Sequence, residues 1–221
     1  MKVILFGATG MVGEGILIEC LHNSQITKIL SIGRKSSHVE GPKLDELLVS
    51  DIMKIDQQTT KLNGFDAVFY CLGKSSNGMS EEAYTSLTHD LTIHIGKVLK
   101  DANPNIIFCF ISGAGTDTTE KSRLMWARVK GKTENDLIEL YGQNIYNFRP
   151  GLMKPIRGQK SLKGYNWIIH KALFPILKLF MPYNNIQSIA RAMIHVSKNG
   201  NEKQILEVTD INHLSIPQLA N

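Results

Sequence analysis

Cysteine is scarce in this chain, with three in 221 residues, and Cys20, Cys71 and Cys109 form no CxxC pair and have no histidine cluster beside them. Such numbers and spacings argue against a disulfide framework or a metal site and for buried free thiols. Long apolar runs are also missing. The first, Val3-Ile-Leu-Phe6, passes straight into glycine, without the apolar core or cleavage site of a secretory leader, so a cytoplasmic location is expected. Trp167–Met181 is mostly apolar but is too short and, with Lys171 and Lys178, too charged for a span of about 20 predominantly apolar residues. No internal repeat and no low-complexity tract interrupts the 221 residues, and their size suits one domain, 1–221.

Acidic residues are missing from Leu140 to Asn201, where Arg149, Lys154, Arg157, Lys160, Lys163, Lys171, Lys178, Arg191 and Lys198 supply nine cations. The whole chain carries only +5, so the remainder is net acidic. That asymmetry suggests an anionic partner near the C-terminal third, without choosing among cofactor phosphate, acidic substrate, lipid headgroup and nucleic acid. Nucleic acid is disfavoured because no recognised module is present. For Trp167–Met181 the simpler reading is a helix over a substrate pocket with snorkelling lysines, kinked or divided at Pro175. Peripheral membrane contact and a homo-oligomer surface are its alternatives.

Short apolar runs alternate with helical patterns through most of the chain, the signature of a parallel sheet with crossover helices. Strands are predicted at Val3–Phe6, Lys28–Ile32, Glu46–Val49, Ala67–Cys71, Ile106–Ile111, Ile145–Phe148 and Ile205–Val208. Helices are predicted at Met11–His22, Ser80–Ala102, Glu120–Tyr141, within Tyr165–Met181, and at Ile186–Ser197, with Ser80 as an N-cap. Pro150-Gly151 and the stretch from Pro155 to Gly164 mark a loop-rich insertion, so residues from about 150 to 221 are expected to contribute the substrate side.

The most informative motif is Gly7-Ala-Thr-Gly10-Met-Val-Gly13, directly between a predicted strand and a predicted helix. Gly7 permits a tight turn, Gly10 lets backbone N–H groups approach a pyrophosphate, and Gly13 lets the helix pack closely. Phosphates would sit on the helix N-terminus, among Gly7, Thr9, Gly10, Met11, Val12 and Gly13. After the second strand come Arg34 and Lys35, then Ser36 and Ser37. Arginine there accommodates a 2′-phosphate where a carboxylate would take the ribose hydroxyls, so the cofactor read from these residues is NADP(H). Asp51-Ile52 follows the third strand and either flanks an adenine or caps a turn. Cys71-Leu72-Gly73 closes the fourth strand, and Gly73 either lets the chain run close to a cofactor or simply ends the strand.

Together with Ser112, Lys130 and Arg149-Pro150-Gly151, these residues resemble the short-chain dehydrogenase/reductase superfamily, and within it the atypical, NAD(P)-binding epimerase-like, TIP30-related members. The resemblance implies a Rossmann-like doubly wound α/β parallel sheet with a small C-terminal substrate-side helical segment, NADP(H) across its switch point, and a small-molecule substrate. It also implies that Pro150 and Gly151 wall the nicotinamide. In that family a serine and a Tyr-x-x-x-Lys do the chemistry; Ser112 and Lys130 match, but the tyrosine position is Trp126. An indole N–H donates hydrogen bonds and does not transfer its proton at ordinary pH. Lys130 either binds ribose hydroxyls or is a surface lysine, and Ser112 either orients a substrate carbonyl or caps a turn before Gly113. Tyr84, His89 and His94 are alternative proton donors. The leading expectation is an oxidoreductase or epimerase-like enzyme without the usual tyrosine acid; its rival is a non-catalytic NADP(H)-sensing regulatory protein.

Overall fold

The computed structural model describes residues 1–161, 174, 175 and 177–216. In chain order the first half runs β1 (Lys2–Phe6), α1 (Met11–His22), β2 (Lys28–Gly33), β3 (Leu44–Leu48), α2 (Thr59–Leu62), β4 (Ala67–Tyr70), α3 (Glu81–Thr85) and α4 (Leu91–Ala102). It continues with β5 (Ile107–Ile111), α5 (Met125–Tyr141), β6 (Ile145–Phe148), β7 (Leu152–Lys154), β8 (Tyr183–Asn185), α6 (Ile186–Asn199), β9 (Ile205–Leu206) and α7 (Val208–Leu214).

Side-chain alternation along the strands decides the layers. In β1, Val3 and Leu5 enter one core and Ile4 and Phe6 the other. The same period separates Ala67 and Phe69 from Val68 and Tyr70, and Cys109 from Phe108 and Phe110. Both faces of these strands are buried, which is why they read as unbroken apolar runs. They pair in parallel into a seven-stranded sheet of order β3-β2-β1-β4-β5-β6-β9. Residues of α1 and α6 complete the first core, and residues of α4 and α5 the second. The chain is thus a Rossmann-like doubly wound sheet. Its order reverses beside β1, where the carboxyl ends of β1 and β4 form the crevice in which such sheets hold ligands.

Several predicted boundaries move for local reasons. The helix expected from Glu120 starts at Met125, because the Asp117 carboxylate instead gathers the N–H groups of Thr119, Lys121 and Ser122 at 2.7–3.0 Å, with Glu120 at φ 62°. The strand expected at Ile205–Val208 stops at Leu206, since Glu207 and Asp210 form a capping box that opens α7. The third strand lies at Leu44–Leu48 rather than Glu46–Val49. The predicted helix Ser80–Ala102 forms with Ser80 capping Ala83 N–H at 3.2 Å, but carries a π turn at Ser86–Asp90. The loop-rich stretch after Pro150 contains β7, which pairs in parallel with β8. Most of the helix predicted within Tyr165–Met181 lies outside the described residues; of its described end, Leu179 and Phe180 are exposed. No helix among the described residues is long and apolar enough to cross a membrane.

Candidate functional site

The glycine turn after β1 is built by close approach. Gly7 has φ +87°, and a Cβ there would stand 2.6 Å from the Cys71 carbonyl oxygen at the end of β4. At Gly13 a Cβ would stand 2.1 Å from the Gly7 carbonyl oxygen. These two glycines are demanded by the fold itself. Gly10 differs: a Cβ there would meet only the Gly7 oxygen at 3.4 Å, and at Gly73 nothing lies within 4 Å. Gly10 also caps α1 without a side-chain hydrogen bond, so the N–H groups of Met11, Val12 and Gly13 carry the positive end of the helix dipole.

Beside this turn lies a cavity of about 210 Å³ lined by Gly7, Thr9, Arg34, Lys35, Ile52 and Leu72, among others. It unites residues that the sequence placed after the first, second, third and fourth strands. Arg34 and Lys35 are exposed and have no hydrogen bond or ion pair among the described residues. Asp51 does not line the cavity; its carboxylate accepts the Met53 N–H at 3.0 Å and caps a 3-10 turn, as the turn-cap alternative expects. Cys71 does not line the cavity either: its carbonyl packs against Gly7, and its side chain packs toward the core beside Cys20 and Cys109. Burial pushes the Cys109 thiol up to about 12, so it is inert near neutrality.

Ser36 and Ser37, which follow Arg34 and Lys35, have their hydroxyl protons engaged within the protein. Ser36 Oγ donates to Glu46 Oε2 at 2.6 Å, and Ser37 donates to Glu46 Oε1 through both N (2.8 Å) and Oγ (2.7 Å). Glu46 comes from the neighbouring strand, opposite Ser31 in register, which is why a reading confined to β2 overlooks it.

At the carboxyl end of β5 stand Ser112 and Lys130. Lys130 is not a surface lysine: its Nζ donates to the Ser112 carbonyl, and burial lowers its pKa from 10.5 to about 8, opposed by Glu134. Ser112 Oγ lies 2.8 Å from Thr116 Oγ1, which in turn donates its proton to the Gly113 carbonyl at 2.8 Å. A hydroxyl has one proton, so Ser112 must be the donor to Thr116 and presents only lone pairs to anything else. Trp126, one turn before Lys130 on α5, lies against Gly115, with ring carbon Cη2 3.3 Å from where a Cβ would be.

Of the alternative proton donors, His89 and Tyr84 are engaged elsewhere and His94 is not. His89 lies between Asp90 and Asp136, at 2.7 and 2.6 Å from its two ring nitrogens. Burial raises the Tyr84 phenol, against a hydrogen bond with Thr88, which takes it away from neutrality. His94 Nε2 is buried with no hydrogen-bond partner among the described residues.

After β6 the chain turns by contacts of its own. Pro150 accepts the Ala114 N–H at 2.9 Å, and a Cβ on Gly151 would stand 2.3 Å from the Pro182 carbonyl oxygen. Gly151 is therefore required by the strand crossing above it. Arg149 donates to the fully buried Glu134 and to Glu207, and Arg191 to Glu19. Two of the nine cations that suggested an anionic partner are thus neutralised internally.

Sequence reasoning missed Glu14, Glu46, Thr116 and Asp117, all polar side chains whose partners are backbone groups or short hydroxyls that no spacing rule marks. It also missed Gly131, where a Cβ would stand 1.8 Å from the Asp117 oxygen. A glycine inside a helical pattern was the available signal there.

No family model matches the chain. Among curated proteins it is 32% identical over 167 residues to the protein fmp52, mitochondrial, of Emericella nidulans, covering 72% of this chain and 69% of that protein. It is 26% identical to protein HTATIP2 of Rattus norvegicus, over 96% of this chain and 88% of that one. Among solved structures, yeast methylglyoxal/isovaleraldehyde reductase Gre2, complexed with NADPH, superposes with a TM-score of 0.73 at 15% identity, covering 94% of this chain and 77% of that one. The dTDP-glucose 4,6-dehydratase DesIV of Streptomyces venezuelae, with NAD and TYD bound, gives 0.71 at 15% identity over 94% and 75%. The fungal names overturn the cytoplasmic location expected above, since these relatives are mitochondrial proteins. Sequence relatives and fold agree: the chain belongs to the family of Fmp52, with HTATIP2 among its relatives, and has the fold of the NAD(P)-binding enzymes it superposes on.

Proposed function

We propose that this chain binds NADP(H) and acts as an oxidoreductase or epimerase-like enzyme on a small molecule, without a tyrosine acid. The observation that carries the reading is the cavity beside the glycine turn, into which two unpaired cations, Arg34 and Lys35, are gathered. The residues fit the cofactor. Gly10 and Gly73 leave backbone open where the fold alone does not ask for it, the start of α1 suits a pyrophosphate, and the guanidinium of Arg34 suits a 2′-phosphate. The Gre2 reductase was solved with NADPH and DesIV with NAD; the arginine in place of a carboxylate favours the phosphorylated form here.

The nicotinamide, when bound, supplies or accepts hydride. What remains for the protein is orientation and protons. Lys130, anchored on the Ser112 carbonyl, offers its remaining N–H groups toward ribose hydroxyls. Ser112 Oγ, its proton given to Thr116, accepts a hydrogen bond from a substrate hydroxyl or N–H. Trp126 walls the site and transfers no proton. Water and Lys130, with its pKa near 8, are then the proton sources for a reduced carbonyl.

Trp126 also favours a second reading, a regulatory protein that senses NADP(H) without turning it over. Binding and turnover separate the two. NADPH should bind more tightly than NADH, and Arg34→Ala should remove most of the difference; equal affinities in the unmutated protein would reject NADP(H). Absence of NADPH oxidation across carbonyls, quinones and flavins, despite tight binding, would favour the regulatory reading.

A further inference from the structure

We infer that Glu46 is a positioning residue for cofactor choice: from the neighbouring strand it holds the turn after β2 in the shape that presents Arg34 and Lys35 to a 2′-phosphate. This rests on the NADP(H) reading above. One carboxylate organises four consecutive residues. Its oxygens accept the Ser36 hydroxyl and both the N–H and hydroxyl of Ser37, at 2.6 to 2.8 Å. Those hydroxyls then accept the N–H groups of His38 at 3.1 Å and Val39 at 3.3 Å. Within the turn His38 takes φ 55°, a left-handed conformation that few residues other than glycine adopt. Partial burial would raise the Glu46 carboxyl, but the bonds from Ser36 and Ser37 outweigh it and keep the group ionised at neutral pH.

The far side of the turn is fixed as well. Lys160 Nζ donates to the His38 carbonyl at 3.1 Å, and the Lys160 N–H is itself held by Glu14 in the first turns of α1 at 2.6 Å. Arg34 and Lys35 therefore project from a segment whose following residues are pinned from two directions. Such a segment does not have to be ordered when the phosphate arrives, which lowers the entropic cost of binding. The same bonds explain why an acid so near the ribose end does not convert the site to NAD. A carboxylate that takes ribose hydroxyls needs free acceptor sites, and three of the roughly four on Glu46 are engaged by the two serines.

The test measures dissociation constants of NADPH, NADH and adenosine 2′,5′-bisphosphate for the full chain and for Glu46→Ala, Glu46→Gln and Arg34→Ala. Glu46→Ala should weaken NADPH and the bisphosphate by about tenfold while leaving NADH within about twofold, since only the 2′-phosphate depends on the turn. Glu46→Gln keeps an oxygen for Ser37 and should fall between. NADH affinity is the internal control for folding. Unchanged or tighter NADPH binding in Glu46→Ala would overturn the inference, as would parallel weakening of both dinucleotides. If Arg34→Ala abolishes the NADPH preference and Glu46→Ala does not, the inference fails alone; if Arg34→Ala leaves the preference intact, the cofactor reading fails and carries this one with it.

Discussion

Gly10 and Gly13 sit three residues apart in one motif and answer to different masters. A Cβ at Gly13 collides with the Gly7 carbonyl, whereas one at Gly10 meets only an ordinary contact. Gly13→Ala should therefore destabilise the fold, by about 1–3 kcal/mol or more, seen as a lower Tm. Gly10→Ala should keep the Tm within a few degrees and lose dinucleotide affinity; a large loss of stability there would contradict the assignment. Trp126→Tyr restores the Tyr-x-x-x-Lys spacing before Lys130, at the cost of the indole contact with Gly115. If the chain is an enzyme held back by its missing acid, NADPH-dependent carbonyl reduction should rise by roughly a hundredfold, as followed by NADPH absorbance. Lys130 supplies a test of burial. Its folded pKa, about 8, lies below the ordinary 10.5, so the unfolded chain binds the extra proton between those values and stability rises with pH there. Relative to Lys130→Met, the unmutated protein should gain up to about 3 kcal/mol between pH 8 and 10.5, measured by urea titration. A flat difference would mean that Lys130 is solvated.

At the scale of elements, strands were the most legible feature because each central one is buried on both faces, and Ile145–Phe148 matches residue for residue. Helix starts were less legible. Glu120 through Leu124 carry no helix breaker, yet the Asp117 carboxylate takes the Lys121 and Ser122 N–H groups and Ser122 Oγ that of Leu124, and α5 starts only at Met125. In the candidate site, glycine and cation positions could be read because their chemistry is local to a turn. The engagement of Ser36 and Ser37 by Glu46 could not, because strand pairing brings Glu46 there. Arg149 is a similar case, since its charge reads as available until Glu134 of α5 is found beneath it. Arg149→Met, which leaves a buried carboxylate unpaired, should cost about 3–5 kcal/mol. The double variant Arg149→Met/Glu134→Leu should recover most of that; additive losses in denaturant unfolding would refute the pairing as the cause.

For the molecule as a whole, residues beyond Pro150, expected from the sequence on the substrate side, have a structural part: β9 extends the main sheet beside β6, and α6 closes the core over α1. The segment just after β7 reaches back to the first helix. Gln159 donates to the Met11 carbonyl, and Glu14, buried, accepts the N–H groups of Lys160 and Ser161 at 2.6 and 2.8 Å. These bonds join residues about 146 apart in sequence. During synthesis the glycine turn leaves the ribosome before these partners, and the carboxylate of Glu14 has no backbone to hold until residues 160 and 161 emerge. The glycine-turn end of the sheet is thus completed only after the segment about 146 residues downstream has been made.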